Sequence, residues 1–299
     1  MIKISKALDL LSSKWLINEQ YVISQLPILM AFLHGQSFNA DDLFDTEAIN
    51  KPYVVEGCDD VNTCDRWDLM GDDMPYNSVC IIPVQGPILA DNILNLMRYL
   101  AMADANDKVI AVVLVVNSPG GMVFQLDTIC GNIAGMETPV YTYVVGMCCS
   151  AATWLTSATD AIFCSSQMDI LGSVGVMTSV MNMSRFLKEK LLIDIEDIYA
   201  SLSVEKNQPV RGMLDPNATE EEKAARKQQL VDELNFMNSI FHNTITTNLG
   251  IKKDSPVFTG KTFHAQEAIS LGLAHEIQTL DYVIDFAHSQ GLKKVMNQL

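Results

Sequence analysis

The fold turns on Val109-Ile-Ala-Val-Val-Leu-Val-Val116, followed at once by Asn117-Ser-Pro-Gly-Gly121. An unbroken apolar run rich in β-branched residues reads as a strand covered on both faces, and such a strand belongs in the middle of a sheet. The Asn-Ser-Pro-Gly-Gly stretch stops it abruptly, and Phe124 to Met136 resumes at helical spacing. The same alternation extends in both directions. Upstream, Val79 to Val84 reads as a strand ended by Gly86-Pro87, after which Ile93, Met97 and Leu100 recur at helical spacing, with Asp91 or Asn92 placed to cap the helix. Downstream, Val140 to Val145 is a third buried strand, Gly146 to Ser150 a tight turn, Ala151 to Thr159 a helix of small residues, and Ala161 to Cys164 a further strand. Strands alternating with helices in this way define an α/β chain with a mixed or parallel sheet. Thr219 to Asn248 reads as a long charged helix packed outside the core, with Glu220, Glu221 and Glu222 in the first turn, where the helix dipole favours anions.

The chain has 299 residues, 48% of them hydrophobic, enough to bury a sizeable core. Its 36 acidic and 20 basic residues give a formal charge of -16, which disfavours nucleic acid or an anionic membrane as partner. The seven cysteines (Cys58, Cys64, Cys80, Cys130, Cys148, Cys149 and Cys164) lack the regular spacing of a disulfide framework and read as reduced, mostly buried thiols. Cys58 and Cys64 do not have zinc-knuckle spacing, so no metal and no cofactor is assigned. Lys3 and Lys6 precede an apolar region from Leu8 to Leu33, but Ser12, Ser13, Lys14, Asn18, Glu19 and Gln20 interrupt it. That pattern predicts amphipathic helices and neither a membrane anchor nor a cleaved leader, so the expected location is cytoplasmic. Residues 34–78 are polar and rich in aspartate and turn residues. The expected division is therefore a helical extension and polar linker over 1–75, a main domain over 76–290, and a tail over 291–299.

In an open α/β sheet, ligands gather beyond the carboxyl ends of the strands, which directs attention to the turns after Val116 and Val145. Gly120 and Gly121 offer backbone N–H groups with no side chain in the way, suited to a developing oxyanion; a lone Gly-Gly is equally explained as a sharp turn. Ser150 stands at a strand-to-helix junction among the small residues Cys149, Ala151 and Ala152, where a helix N-cap would explain it as well. A serine nucleophile needs a base. None of His34, His242, His264, His275 and His288 is placed by the pattern to serve it. Lysine can serve if its amine is kept neutral, and Lys206 is the candidate, although the carboxylate of Glu205 beside it favours the charged form, and a solvated surface lysine fits the spacing too.

Six collinear segments carry a family resemblance: Ile82-Pro-Val-Gln-Gly86, Asn117-Ser-Pro-Gly-Gly121, Gly146-Met-Cys-Cys-Ser-Ala-Ala152, Leu171-Gly-Ser-Val-Gly-Val176, Lys206-Asn-Gln-Pro209, and Phe258-Thr-Gly-Lys with Ala268 to Leu273. Together they resemble the signal peptide peptidase A family of Ser/Lys serine peptidases, and within it the phage head-maturation (prohead) proteases. The resemblance implies a Clp protease/crotonase-like superhelix of β-β-α units, here with an N-terminal helical extension. It also implies Ser150 as nucleophile, Lys206 as general base, Gly120 and Gly121 at the oxyanion hole, and Ser173 as a supporting residue that orients the lysine amine. The implied partners are polypeptide substrates, among them scaffold or capsid precursors, and further copies of the chain in a homo-oligomer. Two departures stand out: Cys148-Cys149 occupies a place where the family has small residues such as Ala-Ala, and Thr153-Trp154 one where small or aromatic residues are common. A buried thiol fills the space of an alanine, so a thiol peptidase is not expected. Two other classes compete: an assembly protein on the same fold that has lost catalysis, and a crotonase-type acyl-CoA enzyme, which needs no serine nucleophile.

Overall fold

The computed structural model describes residues 15–17 (backbone only), 51–56, 65–180, 182, 188–189, 192, 196 and 198–298. The chain divides into two compact units: Met1–Gly175 together with Ile240–Leu299, and Val176–Ser239.

In the first unit, β1 (Trp15–Ile17), β2 (Tyr53–Val55), β3 (Trp67–Asp68) and β4 (Ser78–Gln85) precede α1 (Ala90–Asp104). Then come β5 (Val109–Ser118), β6 (Gly120–Met122), α2 (Leu126–Ala134), β7 (Val140–Cys149), α3 (Ala151–Thr156), β8 (Ala161–Cys164) and β9 (Ile170–Gly172). The decisive apolar run is β5, and it lies between β4 and β7, parallel to both, as a strand buried on both faces should. Outward from β4, β2 and then β3 pair antiparallel. These two strands come from the stretch read as polar linker; Val54 and Val55 are fully buried there, and their burial outweighs the acidic composition around them. Residues 57–64, with Cys58 and Cys64, lie outside the described residues, as does most of the expected N-terminal helical extension. Of that extension, Trp15–Ile17 is strand where a helix was expected; it pairs antiparallel with β6.

Two further readings change. Neither Asp91 nor Asn92 is the N-cap of α1: that position is Leu89, whose N–H donates to Asn92 Oδ1 (3.0 Å). And β7 does not end at Val145. It bends at Gly146, where φ is +95°, and runs on to Cys149. Before the bend it pairs with β8, after it with β9. Val145 and Gly146 are exposed at the bend, which explains why the sequence reads as a turn there.

After residue 240 the first unit is completed by the end of a long helix, by β10 (Thr262–His264), antiparallel to β9, and by β11 (Glu276–Ile277), parallel to β8. A helix from Leu280 to Gln298 closes one face of the sheet and continues through the residues expected to be a tail. Its Val283, Ile284 and Ala287 are fully buried against Val79, Ile81, Ala111, Val113, Tyr141, Tyr143 and Phe163. Burying one Val or Ile side chain contributes about 1.5 to 3 kcal/mol. Gly291 lets this helix approach β5, since a Cβ there would meet Ile110 O at 2.4 Å.

The second unit holds a short helix, Gln208–Leu214, and the first part of Glu220–Leu249. A capping box starts the latter: Glu222 N–H donates to Thr219 Oγ1 (3.2 Å) and Thr219 N–H to Glu222 Oε2 (2.8 Å). Among the described residues, no helix is long and apolar enough to cross a membrane.

Candidate active site

The end of β7, the start of α3 and the end of β9 converge on Ser150. An ordinary N-cap has extended backbone and accepts a hydrogen bond from the first helical turn. Ser150 does neither: it has φ 58° and ψ −114°, and its hydroxyl makes no capping bond. A non-glycine residue in such a conformation carries strain of about 1 to 3 kcal/mol and persists only where its surroundings impose it.

Two backbone hydrogen bonds and a side-chain clamp impose it. Ser150 N–H donates to Gly172 O (2.7 Å), and Ser150 O receives the N–H of Trp154 (2.9 Å), so the residue is fixed from both sides. Thr153 Oγ1 lies 2.8 Å from both Cys148 O and Gly172 O, tying the end of β7 to the end of β9. Thr153, a departure from the resembling family, thus has a structural task. Trp154, the other departure, is buried and stacks on Phe241 with ring centroids 4.5 Å apart and planes 7° from parallel.

The residue that sequence reasoning missed is Asp169. It is 3% exposed, and its carboxylate accepts the N–H groups of Gly146 (2.9 Å), Ser165 (2.7 Å) and Ser166 (3.0 Å) together with the Ser165 hydroxyl. It therefore fixes the bend that carries β7 towards Ser150. Its place five residues after Cys164, in Ser-Ser-Gln-Met-Asp, looks like any polar turn.

Ser173 follows Gly172 directly, so it lies one residue from the carbonyl that holds Ser150. It has φ 54°, is half-buried, and donates its N–H to Lys261 O (2.7 Å). Gly120 donates its N–H to Ser118 Oγ (3.2 Å), and Gly121 is packed so closely on Ile88 that a Cβ would meet Ile88 O at 1.9 Å. The strand β6 that these glycines open packs on α3.

Cys148 and Cys149 are buried; Cys148 lies 3.3 Å from Thr156 Oγ1. Burial pushes the Cys148 thiol up to about 12 and Cys149 further in the same direction, so neither supplies a thiolate near neutrality. Among the described residues no histidine is hydrogen-bonded to Ser150. His275 Nδ1 accepts the Ile162 N–H (3.0 Å), His242 packs on Phe258, and His264 starts a helix. His34 lies outside the described residues.

Lys206 belongs to the second unit. It is exposed, in a turn where its N–H donates to Ser203 O (3.1 Å). Arg211 steadies this turn by donating to Val204 O (2.7 Å) while its guanidinium lies over the Tyr199 ring. The neighbouring Glu205 carboxylate is exposed and lies 3.8 Å from Arg226 Nη1, which offsets its charge.

Peptidase family S49 matches this chain over residues 134–295, a span that holds Ser150, Ser173 and Lys206. The chain belongs to that family. Among curated proteins it is 29% identical, over 178 residues, to one from Methanocaldococcus jannaschii that bears the name of a protease; the match covers 59% of this chain and 54% of that one. A protein of Haemophilus influenzae named as the protease SohB is 24% identical over 187 residues, 62% of this chain and 49% of its own. A protein of Enterococcus faecium named as signal peptide peptidase SppA is 22% identical over 197 residues, 64% of this chain and 54% of its own. The chain thus spans about half the length of the curated relatives it matches.

Proposed function

We propose that the chain is a serine endopeptidase in which Ser150 is the nucleophile and Lys206 the general base. The observation that carries the reading is the Ser150 backbone: a strained, doubly anchored residue at a strand-to-helix junction, with its hydroxyl uncommitted to the helix it heads. Lys206 takes the hydroxyl proton as Ser150 Oγ bonds to the substrate carbonyl carbon, and returns it to the leaving amine as the peptide C–N bond breaks. Gly120 and Gly121 supply backbone N–H groups to the oxyanion in this reading. Ser173, beside the Gly172 anchor, orients the amine.

Family membership supports the peptidase class, and the alternation of strands and helices around β5 and β7 is compatible with a Clp protease/crotonase-like fold. The natural substrates in this reading are protein precursors of an assembling phage head, cut by a homo-oligomer. What supports this is the resemblance of the lysine segment Lys206-Asn-Gln-Pro209 to that branch. The test is an active-site-directed fluorophosphonate, with the adduct located by mass spectrometry. Adduct on Ser150 in wild type, absent in Ser150→Ala and strongly slowed in Lys206→Ala, is expected. A folded wild-type chain that takes no adduct at Ser150 would move the weight to a non-catalytic assembly protein.

A further inference from the structure

We infer that Trp15–Ile17 is a built-in competitor of substrate: in the resting chain this segment occupies the edge of β6 away from Ile88, the edge that an extended peptide strand takes when the segment leaves. The inference rests on the peptidase reading only for its effect on cleavage.

The geometry is one of backbone groups. Ile88 uses one edge of β6: its N–H donates to Gly120 O (2.9 Å) and its carbonyl receives the Met122 N–H (2.8 Å). Along a strand, successive residues direct their N–H and C=O to opposite edges. The N–H and C=O of Gly121 are therefore directed to the other edge. There β1 lies antiparallel, with Leu16 opposite Gly121, Trp15 opposite Met122 and Ile17 opposite Gly120. Leu16 thus faces the glycine proposed above as an oxyanion donor, on a strand packed against the helix that Ser150 heads. Strand addition to a sheet edge draws its affinity from main-chain hydrogen bonds and accepts many sequences, which suits a polypeptide substrate. An isolated pair of short strands is only marginally stable, so a three-residue arm is readily displaced. Tethering compensates, because a segment on the same chain acts at an effective concentration on the order of millimolar.

Two variants of the full chain test this, both on a Ser150→Ala background so that binding is read without turnover. Trp15→Cys with Met122→Cys places thiols at a pair that the alternation makes non-hydrogen-bonded, the closer of the two antiparallel pair types. Leu16→Pro removes the N–H that faces Gly121 and releases the arm. The probe is a fluorescent synthetic peptide of residues 10–22. The disulfide is expected to form, confirmed by mapping the linked peptides, and to weaken probe binding about tenfold relative to the reduced form; Leu16→Pro is expected to strengthen it about tenfold. Equal binding by the oxidised and reduced forms, or no disulfide in a folded chain, would overturn the inference. On the active background, Leu16→Pro is expected to raise kcat/KM for a peptide substrate. If nothing is cleaved but the binding contrast holds, the peptidase reading falls and the docking site stands; cleavage with no binding contrast gives the reverse.

Discussion

Thr153→Val replaces a buried hydroxyl by a methyl of nearly the same shape, so the variant isolates the hydrogen bonding around Ser150. Thr153 Oγ1 is within 2.8 Å of two carbonyls, Cys148 O and Gly172 O, but it carries one proton and can fully satisfy only one of them at a time. Gly172 O keeps the Ser150 N–H at 2.7 Å in the variant. The loss is therefore that of about one buried hydrogen bond and not two. Leaving a buried acceptor without its donor costs about 1 to 3 kcal/mol. Urea denaturation should show that loss as a lower midpoint with an unchanged slope. If about 1.4 kcal/mol of it falls on the geometry at Ser150, modification by a fluorophosphonate slows about tenfold. Thr153→Ser keeps the hydroxyl and loses one methyl, costing about 1 kcal/mol, with the rate of modification retained. A Thr153→Val chain as stable as wild type and modified as fast would refute the idea that this clamp holds the Ser150 conformation.

Three further outcomes follow from the geometry. Asp169→Ala removes the acceptor of the part-buried N–H groups of Gly146, Ser165 and Ser166 and should cost about 1 to 3 kcal/mol in urea denaturation, with Asp169→Asn intermediate because one oxygen remains. Cys148 should resist iodoacetamide in the folded chain near pH 8 and react only on unfolding, as burial has pushed its thiol up to about 12; Cys148→Ala should leave modification at Ser150 unchanged. Burial, and secondarily the Lys253 charge, lowers the His242 pKa below its ordinary value of 6.5, so the unfolded chain binds the proton more tightly. Its contribution is thus fully present above pH 6.5 and is lost as pH falls below it, levelling off below the lowered folded pKa. Thermal unfolding at successive pH values should show this decline in wild type and a weaker one in His242→Gln.

What could be read in the sequence was whatever burial imposes on composition. The run Val109 to Val116 had to be a central strand, and Ala161 to Cys164 is a strand over the same residues. Less legible were places where backbone geometry overrides composition. Gly146-Met-Cys-Cys149 reads as a turn, yet one positive φ at Gly146 lets β7 change partner and continue. Strands β2 and β3 sit in an acidic stretch because a sheet edge needs only a few buried residues. At the site, small neighbours marked Ser150, but nothing in the residue pattern distinguished it from an N-cap; the φ and ψ values do. Asp169 was invisible because its partners are main-chain amides brought together only by the fold. Lys206 owes its candidacy to family resemblance, since its local sequence fits a solvated lysine equally well.

The most direct test of the account is the cleavage of an unfolded protein by wild type, Ser150→Ala and Lys206→Ala, followed from about pH 6 to about pH 10. A wild-type kcat/KM that rises along one ionisation, as the base loses its proton, with activity abolished in both variants, is the predicted result. Full activity in a folded Lys206→Ala chain, or cleavage that survives Ser150→Ala, would contradict it.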